Sequence, residues 1–193
     1  MNARTIFRIR KSLKRKKVLN EMVQIQYKDL SKIREQNSDK KIIFCSGSFD
    51  LPHAGHILFF DDCKRLGNIL VVGVGGDEVI QQNKGPERPI LNQHVRMKTI
   101  DTFKPIDYTI LDDNKYNTKE QHKLGFVEYI LKNLKPDVYV INEDAFDLST
   151  RIKLTNQLGI SLKVLKRSSP PEFSEISTSK IIKKIKLLSS SSE

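Results

Sequence analysis

Gly47-Ser48-Phe49-Asp50-Leu51-Pro52-His53-Ala54-Gly55-His56 is the stretch on which the reading of this chain turns. It follows Ile42-Ile43-Phe44-Cys45, an apolar and β-prone run, and it precedes Ile57 to Leu66, whose apolar residues recur at helical spacing. The block therefore marks a strand-to-helix junction, where unpaired backbone N–H groups and the helix dipole favour an anion. His53 and His56, half of the chain's four histidines, add two further donors there. Phosphate chemistry is the first reading. Two others stand beside it: half of a zinc site with Cys45 and Cys63, which lack the close Cys-x-x-Cys spacing of a structural site, and an ordinary pair of surface histidines.

Outward from the junction, strands and helices alternate. Ile69-Leu70-Val71-Val72-Gly73-Val74 is a continuous apolar run of the kind that a parallel strand buried on both faces requires. Further strands are predicted at Tyr108 to Leu111, Val138 to Ile141 and Ser161 to Leu165. Helices are predicted at Ile57 to Arg65, Asp77 to Gln82, Asn92 to Thr102, Lys119 to Leu134 and Arg151 to Leu158, with Gly159 as a C-cap and a last helix from about Ser177. Lys84-Gly85-Pro86-Glu87-Arg88-Pro89 reads as a loop, and Met1 to about Asn37 as one or two basic helices whose Leu30 and Ile33 form an apolar stripe. The pattern is that of an α/β fold, a doubly wound Rossmann-like parallel sheet of about five strands. In such a sheet ligands sit at the carboxyl ends of strands where strand order reverses.

A chain of 193 residues, 38% hydrophobic, has room for one domain with extensions. It shows no apolar run long enough for a transmembrane segment and no secretory signal, and its two cysteines read as buried thiols, so a cytoplasmic protein is expected. The formal charge of +11 is unevenly spread: eight basic residues precede the first acidic one, Glu21. Such a leader suits a solvated helix, a partner, RNA or an anionic surface.

The junction block resembles the first motif of the nucleotidyltransferase superfamily of the cytidylyltransferase type, Gly-x-Phe-Asp followed by His-x-Gly-His. Ile176-Ser177-Thr178-Ser179 is similar to that family's Ile-Ser-Thr-Thr at the start of the last helix. Lys84-Gly85-Pro86-Glu87-Arg88-Pro89 resembles the Lys-Gly-x-x-Arg-Pro segment of the branch whose adenylyltransferase domain makes ADP-heptose, and Arg96 and Pro105-Ile106-Asp107 follow in the family's order. Cytidylyltransferases acting on glycerol 3-phosphate tend to carry Trp where this chain has Ala54, which favours the heptose branch. The resemblance runs from about Lys40 to Ile185. It divides the chain into a basic helical extension over 1–39, a nucleotidyltransferase domain over 40–187 and a disordered Ser-rich tail over 188–193.

Transfer of a nucleotidyl group from ATP or CTP to a small phosphorylated sugar or polyol, with loss of pyrophosphate, is what the resemblance implies. His53, His56 and Lys84 would then be catalytic. Ser46, Gly47, Ser48, Phe49, Gly55, Asn142, Arg167, Ile176, Ser177 and Thr178 would line the nucleotide site, and Asp50, Arg88 and Arg96 would meet the acceptor. Asp50 also reads as a turn residue, Arg96 as half of a helix-surface ion pair, and Asp107 as a brace or subunit contact. Mg²⁺ is expected on the triphosphate, with no residue assigned as a metal ligand. Relatives are often homodimers, a point on which composition is silent. Two departures stand out: Arg167-Ser168-Ser169-Pro170-Pro171-Glu172-Phe173-Ser174-Glu175 is a longer loop than the family's, and Asn142-Glu143-Asp144-Ala145 replaces its Gly-Asp-Asp or Lys-Gly-Gly-Asp. A glycerol-3-phosphate-type cytidylyltransferase is the nearer alternative. A basic nucleic-acid-binding module, an inactive nucleotide sensor and a class I aminoacyl-tRNA synthetase, for which the chain lacks an anticodon-binding domain, are the rivals of other classes.

Overall fold

Strand order in the sheet is β1-β4-β3-β2-β5-β6, with every pairing parallel. The strands are β1 (Gln24–Ile25), β2 (Ile42–Gly47), β3 (Ile69–Gly75), β4 (Tyr108–Asp112), β5 (Val138–Asn142) and β6 (Ser161–Leu165). This computed structural model describes residues 24–116, 124–167, 170–173 and 176–190. From β2 the chain winds through β3 to β4 on one side, then returns to β5 and β6 on the other. Strand order therefore reverses between β2 and β5, and the histidine block leaves the sheet at that point.

The helices are α1 (Leu30–Gln36), α2 (Ala54–Arg65), α3 (Asp77–Lys84), α4 (Gln93–Asp101), α5 (Gly125–Leu134), α6 (Leu148–Leu158) and α7 (Thr178–Ser190). The two-residue period of the central strands shares them between two cores. Phe44 and Val71 pack with Leu30, Ile33 and the α5 stripe Phe126, Ile130, Leu131 and Leu134 on one face. Ile43, Cys45, Leu70 and Val72 pack with Phe60 and Cys63 of α2 and Met97 and Ile100 of α4 on the other. Both cysteines are buried free thiols, and burial pushes the Cys45 thiol up. They belong to the core, not to the histidine pair.

Several expected boundaries move, each for a local reason. A sixth strand appears at Gln24–Ile25, in a segment expected to be helical, because Gln24 and Ile25 pair with Thr109 and Ile110. Tyr27 then anchors the segment, its hydroxyl donating to Asp113 Oδ1 at 2.8 Å and lying 3.1 Å from Leu111 O. Residues 1–17, with the eight basic side chains, lie outside the described residues, as do 117–123 ahead of α5. Helix α2 starts at Ala54, three residues earlier than expected, so His56 lies inside its first turn. Helix α3 runs on to Lys84, which is thus a helical residue in place of a loop one, and Gly85 at φ 95° ends the helix in a conformation that side chains resist. Helix α7 continues through Ser190, so Leu188, Ser189 and Ser190 are helical where a disordered tail was expected, and 191–193 lie outside the described residues. Among the described residues no helix is long and apolar enough to cross a membrane.

Candidate active site

His53 is the N-cap of α2, with extended backbone at φ −148° and ψ 171°. Its N–H donates to Nδ1 of His56 at 3.3 Å, so His56 occupies the place that Glu or Gln holds in a capping box. The two rings stack with centroids 3.9 Å apart and planes 21° from parallel, and Phe49 meets the His56 ring edge-on at 5.3 Å. Phe49 adopts φ 46°, which turns its ring under the block and against Phe60. Because Nδ1 of His56 accepts, its proton is assigned to Nε2, which becomes an outward N–H donor.

Charge favours the same state. Desolvation, then the neighbouring His53, Arg167 and Lys84, lower the His56 pKa to about 3. Desolvation and Arg167 also lower that of His53. Both imidazoles are consequently neutral at pH 7, as two stacked rings beside cations require. His53 Nδ1 is buried and has no hydrogen-bond partner among the described residues. A Cβ on Gly55 would stand 3.0 Å from His53 Cε1, 3.1 Å from His53 Nδ1 and 3.4 Å from Ile176 Cγ2. Gly55→Ala is therefore expected to tilt the His53 ring and cut kcat/KM by roughly 10-fold or more, with little change in melting temperature. Paired kinetics and thermal melts check it; unaltered kinetics would mean that the ring orientation is irrelevant.

Asp50, 1% exposed, fastens the Arg88 loop to the block. It accepts from Arg88 Nε at 2.6 Å, Ile90 N at 2.7 Å and Leu91 N at 3.1 Å. Lys84 stands near Arg88, Asp50, Asp144 and Arg167, where desolvation and then Arg88 lower its pKa. Arg96 is 0% exposed. Its guanidinium donates to Leu91 O at 2.8 Å, Ser48 O at 2.7 Å, Gly75 O at 2.5 Å and Asp77 Oδ1 at 2.7 Å. It ties together the ends of β2 and β3 and the start of α4, which leaves no open face for the expected substrate contact. Asp107 accepts from Leu70 N at 2.7 Å and pairs with Lys64, a brace at the start of β3.

The two departures from the family pattern meet each other in space. The Arg167 guanidinium pairs with Asp144, and the Arg167 backbone N–H donates to Glu143 Oε1 at 3.2 Å, across the neighbouring ends of β5 and β6. Arg167 thus lies close enough to lower both histidine pKa values. Ser168, Ser169, Ser174 and Glu175 lie outside the described residues, but the chain returns with Ile176 against Gly55. Ser177 caps α7, its Oγ accepting from Lys180 N at 3.2 Å, and Thr178 opens the helix. Ser46 and Gly47 end β2 opposite Gly73 and Val74, and Asn142 ends β5. The fold thereby gathers His53, His56, Gly55, Phe49, Asp50, Lys84, Arg88, Arg167 and Ile176 around one junction. Sequence reasoning missed Glu143 and Asp144 as holders of Arg167, since nothing local links residues 24 and 23 positions apart. Asp77, in the first turn of α3 and well placed to receive a cation, was missed as the partner of Arg96.

A doubly wound parallel sheet with a His-x-Gly-His pair at its switch point is a Rossmann-like nucleotidyltransferase fold. The chain belongs to the cytidylyltransferase-like family, whose model matches residues 44–184. It is 33% identical over 159 residues to the bifunctional protein HldE of Campylobacter jejuni strain RM1221, covering 82% of this chain and 30% of that protein. The HldE of Helicobacter pylori strain 26695 is 33% identical over 158 residues, with 81% of this chain and 30% of the relative covered. The chain thus spans about a third of the length of these relatives. Among solved structures, a lipopolysaccharide core biosynthesis protein from Thermoplasma volcanium superposes with a TM-score of 0.53 at 28% identity, covering 68% of this chain and 98% of that one. A pantoate-beta-alanine ligase from Francisella tularensis shares the fold at 18% identity, with a TM-score of 0.57 and 81% and 71% of the two chains covered.

Proposed function

We propose that the chain transfers a nucleotidyl group from ATP or CTP to a phosphorylated sugar or polyol of the heptose 1-phosphate kind, releasing pyrophosphate. The observation that carries this reading is the stacked, neutral histidine pair at a helix N-terminus beside Lys84, Arg88 and Arg167. An acceptor phosphate is already an anionic nucleophile at pH 7, so the reaction needs positioning and charge neutralisation more than a base. In-line attack of an acceptor oxygen on the α-phosphorus builds negative charge on the α-phosphate oxygens. His53 and His56 donate N–H bonds to them. Lys84 and Arg88 neutralise the acceptor phosphate and the triphosphate, and Arg167 faces the leaving pyrophosphate. Ser177, Thr178 and the first amides of α7 hold the β and γ phosphates with that helix dipole behind them.

The end of β2 with the turn that follows it, Ser46 to Phe49, and Asn142 flank the nucleotide on either side of the switch point. Mg²⁺ arrives as part of the substrate, on phosphate oxygens and water, since the side chains that converge are mainly cationic. The HldE likeness supports a sugar phosphate as acceptor, because the match spans most of this chain. A pyrophosphate-release screen crossing ATP and CTP with heptose 1-phosphate and glycerol 3-phosphate tests it. Turnover with heptose 1-phosphate is expected, and turnover with glycerol 3-phosphate alone would overturn the acceptor.

The clamp on Arg167 gives a separate expectation. Asp144→Asn should raise KM for the nucleotide about two- to fivefold, the scale of an exposed ion pair, with kcat little changed. In an Arg167→Ala background the same change should have no further effect. Additive losses in that cycle would show that Asp144 acts on something other than Arg167.

A further inference from the structure

The net positive charge of the chain comes from its two end segments. Residues 18–177 hold 22 basic and 22 acidic side chains, so the body of the domain is neutral. The excess sits in residues 1–17 and in α7, where Lys180, Lys183, Lys184 and Lys186 occur with no acidic residue from Thr178 to Ser190. Helix α7 has no buried residue, although five of its 13 positions are Ile or Leu. Ile181, Ile185 and Leu188 fall on one stripe at i, i+4 and i+7; Ile181 is half-buried, whereas Ile185 and Leu188, with Leu187 beside them, are 58%, 63% and 59% exposed. Lys184 borders the stripe on one side, and Lys183 and Lys186 lie on the opposite face.

A covering surface must satisfy both features. A second copy of α7 laid on this stripe would bring eight lysines together with no compensating acid in either helix. A nucleic acid would meet the lysines but offers no apolar phase to the isoleucines and leucines. An anionic bilayer supplies both, acyl chains for the stripe and headgroup charge for the lysines. At 1.5 Å per residue α7 is about 20 Å long, enough to lie in the headgroup plane but too short to span. We infer that α7 is a docking helix for an anionic membrane surface, the Ile185 and Leu188 end of its stripe entering the interface and its lysines engaging acidic headgroups.

Flotation of the full chain with vesicles of phosphatidylcholine containing about one third phosphatidylglycerol tests this, beside vesicles of phosphatidylcholine alone. Binding is expected on the anionic vesicles, at least about tenfold weaker on the neutral ones and weakened by salt. Ile185→Ser with Leu188→Ser should lower partitioning by about tenfold or more while melting temperature is unchanged, and Ile185→Leu with Leu188→Ile should retain it. Binding that survives the double serine variant would assign it to residues 1–17 and overturn the proposal. So would absence of vesicle binding, or a dimer in sedimentation velocity that the serine variant dissociates, or RNA binding that requires the same stripe.

Discussion

His56→Ala is expected to lower turnover by 10²-fold or more, the scale for removing one preorganised donor to a developing oxyanion, with a melting temperature within a few degrees of wild type. The donor at issue is Nε2–H, because Nδ1 is occupied by the His53 N–H. Glutamine places an amide N–H near that position, so His56→Gln should recover part of the loss. The pH dependence carries the same signature. With a pKa of about 3 in the free folded protein, His56 stays neutral from pH 8 down to 5, and its titration should leave no inflection in kcat/KM across that range. Stability behaves differently. The folded pKa is depressed, so the contribution of neutral His56 is whole above the unfolded value near 6.5, and it is lost progressively as pH falls toward 3 because the unfolded chain binds the proton more readily. Normal turnover in the alanine variant, measured by pyrophosphate release, would remove His56 from the chemistry.

Arg96→Met is expected to destabilise the fold by about 3–5 kcal/mol, the scale for breaking a buried charged network, and to lower the melting temperature by on the order of 10 °C. The magnitude follows from what it leaves behind. Asp77 loses its cation, and the carbonyls of Ser48, Gly75 and Leu91 lose their donor within a packed interior. Lysine should not rescue it, since a single ammonium cannot span acceptors that a planar fork reaches together. Urea denaturation of wild type and the two variants checks the point. A cost under about 1 kcal/mol would mean that Arg96 is not the brace its four bonds indicate.

Much of the frame was legible along the chain. The apolar runs Ile42 to Cys45 and Ile69 to Val74 read as strands because a central parallel strand is buried on both faces, and they lie within β2 and β3; β6 falls at Ser161–Leu165, as its residues predict. The left-handed cap at Gly159, φ 66°, was legible because a helix C-terminus favours glycine there. Strand β1 was not. Two residues, one of them Gln, carry no period, and their conformation comes from the free edge of β4. Helix α2 began early because His56 supplies a capping acceptor that is rarely a histidine.

The site divides in the same way. From the sequence came the histidine pair and its glycine, since the apolar runs on either side set a strand-to-helix junction and its anion-binding N-terminus, while the family resemblance pointed to Lys84 and Arg88. Tertiary structure decided what each charge is for. Arg96 resembles any helix arginine until carbonyls 21 and 48 positions away close around it. Arg167 and Asp144 lie 23 positions apart and meet because β5 and β6 are neighbours. Periodicity is a property of adjacent residues and can be read one helix or strand at a time. The partner of a charge depends on strand order and register, which exist only once the sheet has formed.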